Sequence, residues 1–239
     1  MADTRHHRGP DPHDLAAFGP SALPALREAV ADLSWMLGRG YAVTSALKLV
    51  GDRWSLTERQ RLAVRRCACS DEALTRRLRH LVAPDDLHGR AVLLDGFNVL
   101  TTLEAALGGA VVLRGRDGAD RDLAGVHGTY RKVEETRPAI ALLGDQMAAL
   151  GIARALWLLD SPVSNSGRLR GILLQAALER GSNWQVELVF SPDPLLAQAT
   201  EIIATADSAI LDRCGRWVNL ARLAIDSAIP GARIVDLSI

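Results

Sequence analysis

Short apolar runs, each closed by a carboxylate, constrain this chain more than any other feature. Ala91–Leu94 runs into Asp95 and Ala155–Leu159 into Asp160; Val186–Phe190 is followed by Asp193, and Ile202–Ala204 by Asp207. Brief apolar stretches bounded by polar residues suit strands buried on both faces. Between them lie stretches with helical signals. Thr101–Leu107 ends at Gly108, Pro138–Leu150 has an early Pro with Gly151 beyond it, and Arg168–Arg180 stops at Gly181. Ala110–Leu113 and Arg233–Val235 are further candidate strands. Strands alternating with helices predict an α/β domain over residues 89–239, with a mostly parallel sheet flanked by helices.

The preceding residues read differently. Residues 1–20, rich in His, Pro and Gly and without an apolar segment, are expected to form a disordered leader. Residues 21–88 are expected to be all helical and Arg-rich. Leu23, Leu26, Val30, Leu33 and Leu37 recur every three or four positions and make one helical face, stopped by Gly38 and Gly40. A shorter helix is expected over Val43–Val50. Ser55 and Glu58 stand at capping-box spacing for the next helix, which runs to about Ala68. Ser70 caps a last helix whose expected buried stripe is Leu74, Leu78 and Leu81. The polar stretch Pro84–Gly89 reads as a linker.

Composition removes several classes. The longest apolar runs are interrupted too early to cross a bilayer, so no membrane association is expected. Cys67, Cys69 and Cys214 cannot form a paired framework and lack the spacing of a zinc site, which points to buried thiols in the cytoplasm. The net charge is zero, and the first 90 residues carry 14 basic against 11 acidic residues, too small an excess to demand nucleic acid. No Gly-x-Ser-x-Gly elbow, Walker loop or dinucleotide fingerprint is present.

The carboxylates carry the chemistry. One Asp after a strand is ordinary, because it caps the next helix. Four at the C-terminal edge of one parallel sheet would converge where such sheets form their sites. Crowded acids repel unless a cation neutralises them, and an oxygen-only donor set favours Mg²⁺ or Mn²⁺ over Zn²⁺. Asp95, Asp160, Asp193 and Asp207 are therefore candidate ligands, with Asp212 in reserve.

The stretch Leu93-Leu94-Asp95-Gly96-Phe97-Asn98-Val99-Leu100 resembles the first strand of PIN-like and NYN-like nucleases, an apolar strand entering an Asp with an Asn three residues on. Ile202-Ile203-Ala204-Thr205-Ala206-Asp207-Ser208 resembles their later strand, which ends in Thr or Ser just before a metal-binding Asp. The resemblance covers about residues 91–213 and implies that Asp95 and Asp207 bind metal and that Asn98 orients a phosphate or ligand water. Glu104 loosely matches the second acid of PIN domains. Ala209 stands where many NYN domains carry another acid, and Asp212 is the nearest substitute. The whole layout also resembles the domain-of-unknown-function 434 family, through Arg39-Gly40-Tyr41, Val50-Gly51-Asp52-Arg53 and Asp95-Gly96-Phe97-Asn98. That resemblance supplies no activity.

Three other motifs have two readings each. Ser164, Asn165, Ser166 and Arg168 precede a helix, where they could cradle a phosphate or simply cap. The loop Asp117–Asp122 resembles a calcium loop, but Gly128 occupies its twelfth position; a turn bringing Asp120 or Asp122 toward the acids is expected instead. Arg59 and Arg66 share a helical face, as do Arg61 and Arg65, with Arg76, Arg77 and Arg79 following; these form either a phosphate-backbone platform or a solvated face.

The expected activity is that of a Mg²⁺- or Mn²⁺-dependent phosphodiesterase acting on RNA, with Asp95, Glu104, Asp160 and Asp207 catalytic. The alternatives are an inactive PIN-like module that binds nucleic acid or protein, and a hydrolase of small phosphate esters. RNA is the expected partner, and self-association into a homo-oligomer stays open.

Overall fold

The computed structural model describes residues 9–123 and 133–239. Five helices open the chain: α1 (Asp14–Phe18), α2 (Leu23–Gly38), α3 (Val43–Arg53), α4 (Glu58–Cys67) and α5 (Asp71–His80). A 3-10 turn at Pro84–Leu87 leads to β1 (Ala91–Asp95), α6 (Gly96–Leu107), β2 (Val112–Arg114) and β3 (Asp120–Asp122). Then come α7 (Thr136–Ala149), β4 (Arg154–Asp160), α8 (Ser166–Arg180), β5 (Trp184–Val189), α9 (Pro192–Gln198) and β6 (Ile202–Ala204). The chain closes with α10 (Ser208–Leu211), β7 (Trp217–Val218), α11 (Leu220–Ala228) and β8 (Ile234–Asp236).

Five strands form one parallel sheet in the order β5-β4-β1-β6-β7. Side chains alternate across a strand, and here both faces are covered. Val92 and Leu94 of β1, Trp157 and Leu159 of β4, and Ile202 and Ala204 of β6 pack with α6, α7, α8 and α11. Leu93, Leu158 and Ile203 turn the other way, toward Leu196 of α9 and Ile210 and Leu211 of α10. This two-sided burial is why the strands read as unbroken apolar runs. Helix α6 is buried along almost its whole length.

A second sheet, in the order β3-β2-β8, pairs β2 antiparallel to β3 and parallel to β8. Its residues Leu113 and Val235 share a core with Leu26, Val30 and Leu33 of α2 and Val64 of α4. The amino-terminal helices and the α/β part are therefore packed through a common apolar interior. The expected strand over Arg233–Val235 forms, but in this second sheet rather than the main one. The expected loop after Leu113 returns as a hairpin.

Other expectations need correction. The leader is structured where it is described: α1 buries Phe18, and buried Asp14 accepts a 2.6 Å hydrogen bond from Arg59 Nε. Residues 84–89 are no free linker. Leu87 is fully buried and the Val82 N–H donates to the Trp217 carbonyl at 2.8 Å, which fastens the segment to β7. The capping box belongs to Thr57 and Gln60, not Ser55 and Glu58. In α5, Leu78 and Leu81 are exposed, and the buried residue is Arg77. Among the described residues, no helix is long and apolar enough to cross a membrane.

Candidate active site

All five strands of the main sheet run the same way, so their carboxyl ends share one edge. Order along the sheet reverses between β1 and β6, since the chain first adds β4 and β5 on one side of β1 and later β6 and β7 on the other. Loops diverge at such a point and leave a crevice. Asp95 ends β1 there, and Thr205, Ala206 and Asp207 follow β6.

These two ends are stitched residue by residue. The Thr205 hydroxyl donates to Asp95 Oδ2 at 2.8 Å and accepts from the Asp207 N–H at 3.0 Å. Asn98, on the first turn of α6, accepts from the Ala206 N–H at 2.8 Å through Oδ1. Gly96 is what lets α6 begin so close to the sheet, because a Cβ there would lie 2.5 Å from Leu159 Cδ2 and 2.9 Å from the Leu158 carbonyl oxygen.

The remaining acids approach from either side. Asp160 ends β4 and is half-buried, whereas Asp193 is exposed on the first turn of α9. Asp95 is only 9% exposed. Burial pushes its carboxyl up to about 7; the Thr205 hydrogen bond opposes this, and the like charges of Asp207, Asp193 and Asp160 add to it. Burial and then Asp193 raise Asp160. Burial and then Asp207 raise Asp193, with Arg213 pulling the other way. Asp95, Asp160 and Asp193 are thus each raised first by burial and then by at least one neighbouring acid. One Asp207 oxygen is already engaged, since Oδ1 accepts the Ala209 and Ile210 N–H groups and caps α10. Among the described residues, no three His, Cys, Asp or Glu side chains form a group that could hold a metal ion.

Several expected site residues lie elsewhere. Glu104 sits eight residues into α6, which carries it about 12 Å along the axis from Gly96; it is fully buried and accepts a 2.6 Å hydrogen bond from Thr136. Asp212 is held by Arg77, 2.7 Å from Nε. Asp120 pairs with Arg114 at 2.8 Å and Asp122 with Arg66 at 3.6 Å, so the 117–122 turn does not feed the acidic edge. Arg59 is bound to Asp14, and Arg66 donates to the Asp122 carbonyl at 2.9 Å. Arg61 bonds Asp52 and the Leu56 and Lys48 carbonyls. These three arginines stitch the fold instead of forming an open platform. A cleft of about 610 Å³ runs along α5 between Arg76, Arg79, His80 and Asp212, apart from the strand-end acids.

The Ser164–Arg168 segment follows Asp160. Neither serine caps α8; the N-cap is Asn165 in the left-handed conformation, with φ 69°, and Ser166 Oγ donates instead to the Ser161 carbonyl at 3.4 Å. Ser164, Asn165 and Arg168 are exposed.

Three residues near the edge were not singled out from the sequence, Arg121, Arg213 and Phe190, and Thr205 stood only as the hydroxyl of the late-strand motif, with no role given to it. Phe190 follows β5 at the same edge and is 83% exposed. Its neighbour Val189 accepts from the Ser161 N–H at 2.7 Å, which ties the end of β5 to the loop after Asp160. A lone Phe at a strand end gives no signal of exposure.

A doubly wound α/β protein with acids along the carboxyl edge of its parallel sheet is the class these features define. Within it, the chain belongs to the family described as Domain of unknown function (DUF5616), whose model matches residues 84–223. Residues 25–80 match the model described as Protein of unknown function (DUF434). An uncharacterized protein of Methanocaldococcus jannaschii is 31% identical over 187 residues, spanning 78% of this chain and 89% of the relative. No solved structure matches the chain.

Proposed function

We propose that the chain is a PIN/NYN-like, Mg²⁺- or Mn²⁺-dependent phosphodiesterase acting on RNA in the cytoplasm. The observation that carries this reading is the placement of Asp95, Asp160, Asp193 and Asp207 at the carboxyl edge of one parallel sheet, with the Thr205 hydroxyl bonded to both Asp95 and the Asp207 N–H. The donor chemistry suits a hard cation, being oxygen-only, but as placed no three of these acids form a group that could hold one. Asp95, with Asp160 and Asp207 drawn toward it, would have to hold the ion, which would supply Lewis-acid polarisation of a phosphoryl oxygen and a water of lowered pKa.

The chain's own groups have separate tasks. Thr205 fixes the rotamer of Asp95 by donating to Oδ2, so that Oδ1 faces away from this bond. Asn98 holds Ala206 through Oδ1, which leaves its amide N–H groups for a phosphate oxygen. Arg213 stands near Asp193 as a cation beside the acids. Phe190 offers an aromatic face for a nucleobase.

One observation favours an inactive binding module instead. Ala209 stands where the resemblance expects an acid, and Asp212, the nearest substitute, is committed to Arg77. The deciding experiment is cleavage of single-stranded RNA with Mn²⁺ or Mg²⁺ by wild type and by Asp95→Asn. Metal-dependent cleavage lost in the folded variant supports the nuclease. Binding of RNA without cleavage under either metal selects the module.

A further inference from the structure

Arg77 and Arg121 are buried cations, 2% and 4% exposed, that share one carboxylate. Arg121 donates from Nη1 to Asp117 Oδ1 at 2.8 Å and from Nη2 to Oδ2 at 2.6 Å. Arg77 Nη1 donates to the same Oδ2 at 2.6 Å, and its Nε reaches Asp212 Oδ1 at 2.7 Å. The loop is shaped around this cluster, since a Cβ on Gly115 would lie 2.5 Å from Arg121 Nη1 and 3.0 Å from Asp117 Oδ1.

Stability alone gives little reason to keep such a cluster. Taking charges out of water costs about what their attraction returns, and apolar replacements of buried ion triads are often neutral or better. What distinguishes this cluster is where its remaining donors go. Arg121 Nε donates to the Ala206 carbonyl at 2.7 Å, and Arg77 Nη2 donates to the Ser208 carbonyl at 3.3 Å. From the opposite side, Asn98 takes the Ala206 N–H and Thr205 the Asp207 N–H. The Ala206–Asp207 peptide is thereby held at its carbonyl by Arg121 and at its N–H by Thr205, and Arg77 holds the carbonyl of Ser208, the residue after Asp207.

We propose that Arg121 and Arg77 are positioning residues for Asp207, so that an amino-terminal helix, α5, sets the geometry of an acidic edge belonging to the α/β part. The role of Asp207 in this statement rests on the phosphodiesterase reading; the clamping of residues 206–208 does not. It also gives the helical segment a task other than holding substrate.

The test uses the full chain with Arg77→Met, Asp117→Leu and Arg121→Met together, which removes the charges without leaving one buried and unpaired. The variant is expected to stay folded, with amide exchange at Ala206 and Asp207 faster by about tenfold or more. Its Mn²⁺ affinity should drop by about ten- to a hundredfold, as when groups supporting metal ligands are removed. A folded variant with wild-type exchange at both amides overturns the proposal. If the triple variant does not fold, Arg121→Lys answers the same question, because lysine keeps the charge but cannot serve Asp117 with two donors and Ala206 with a third. Unchanged exchange in that variant is equally fatal. Wild type that neither binds Mn²⁺ nor cuts RNA defeats the phosphodiesterase reading, while the exchange measurement still decides the clamp.

Discussion

Asp95 meets opposing demands: its place at the end of a buried strand favours the neutral acid, while any role as a ligand needs the anion. Burial is the chief cause that pushes its carboxyl up to about 7, from the ordinary aspartate value of 3.8. Both states are protonated well below pH 4. Between about pH 4 and 7 the unfolded chain has lost this proton and the native chain keeps it, so stability falls as pH rises and levels off above 7. The full effect is at most about 4 kcal/mol. Asp95→Asn should therefore stabilise the protein by about 1–3 kcal/mol at pH 8 and by almost nothing at about pH 3, as urea denaturation would report. An equal change at both pH values would mean Asp95 is not the titrating group. A second residue-scale test concerns Phe190: replacement by Ala should weaken single-stranded RNA binding about tenfold, the worth of one stacked base. Stability should not change, because the ring is already in solvent. Undiminished RNA affinity would remove Phe190 from the substrate surface. The strand-end acids were legible in the sequence because register alone puts them at one edge. Arg121 was not, and Thr205 was legible only as part of the late-strand motif, since their value lies in partners at Ala206 and Asp95, far away along the chain.

At the scale of elements, periodicity told which segments fold but not which face turns inward. In α5 the leucine stripe was the natural choice, yet that helix lays Arg77 against Asp117 and Asp212, and Leu78 stays in solvent. In α6 almost every side chain is buried, so no amphipathic phase existed to show that Glu104 points to Thr136 rather than to the acids. Helix α4 shows the same ambiguity in its cap. Ser55 and Glu58 have the spacing, but Ser55 takes φ 49° and Thr57 does the capping, accepting from the Gln60 N–H at 3.3 Å while Gln60 Oε1 accepts from the Thr57 N–H at 3.0 Å. Thr57→Ala should then cost about 1 kcal/mol. Ser55→Gly should be neutral or slightly stabilising, because glycine takes a positive φ without strain. Thermal unfolding of the two variants separates the possibilities, and a larger loss at Ser55 would return the cap to the position the sequence suggested.

At the scale of the whole molecule, four of the main sheet's five strands were legible because each is followed by its own turn signals, whereas β7, only two residues long, was not expected. The second sheet was not, because β2 finds its parallel partner β8 across most of the α/β part. The same closure through distant pairs puts ionic clusters in the interior, and these set how the fold as a whole responds to acid. Burial alone would raise Asp117, but the charge and hydrogen bonds of Arg121, followed by those of Arg77, hold it far below the usual carboxylate range. A depressed carboxyl gives stability that is complete above its unfolded value near 3.8 and is lost as pH falls toward its folded one. Asp95 has the opposite slope, between about pH 4 and 7. Together they pull the stability maximum of the wild type to about pH 4–5, below the usual range of about 5–8. Asp95→Asn removes the falling arm and should move the maximum toward neutrality. Asp117→Asn should remove the acid arm and, by leaving two buried guanidinium groups without their shared anion, destabilise by about 3–5 kcal/mol at pH 7. Urea midpoints of the three proteins from pH 3 to pH 8 test both slopes at once. Wild-type stability that climbs steadily from about pH 4 to 7 would show that Asp95 does not hold its proton into the neutral range, and that burial at the end of β1 does not govern its charge.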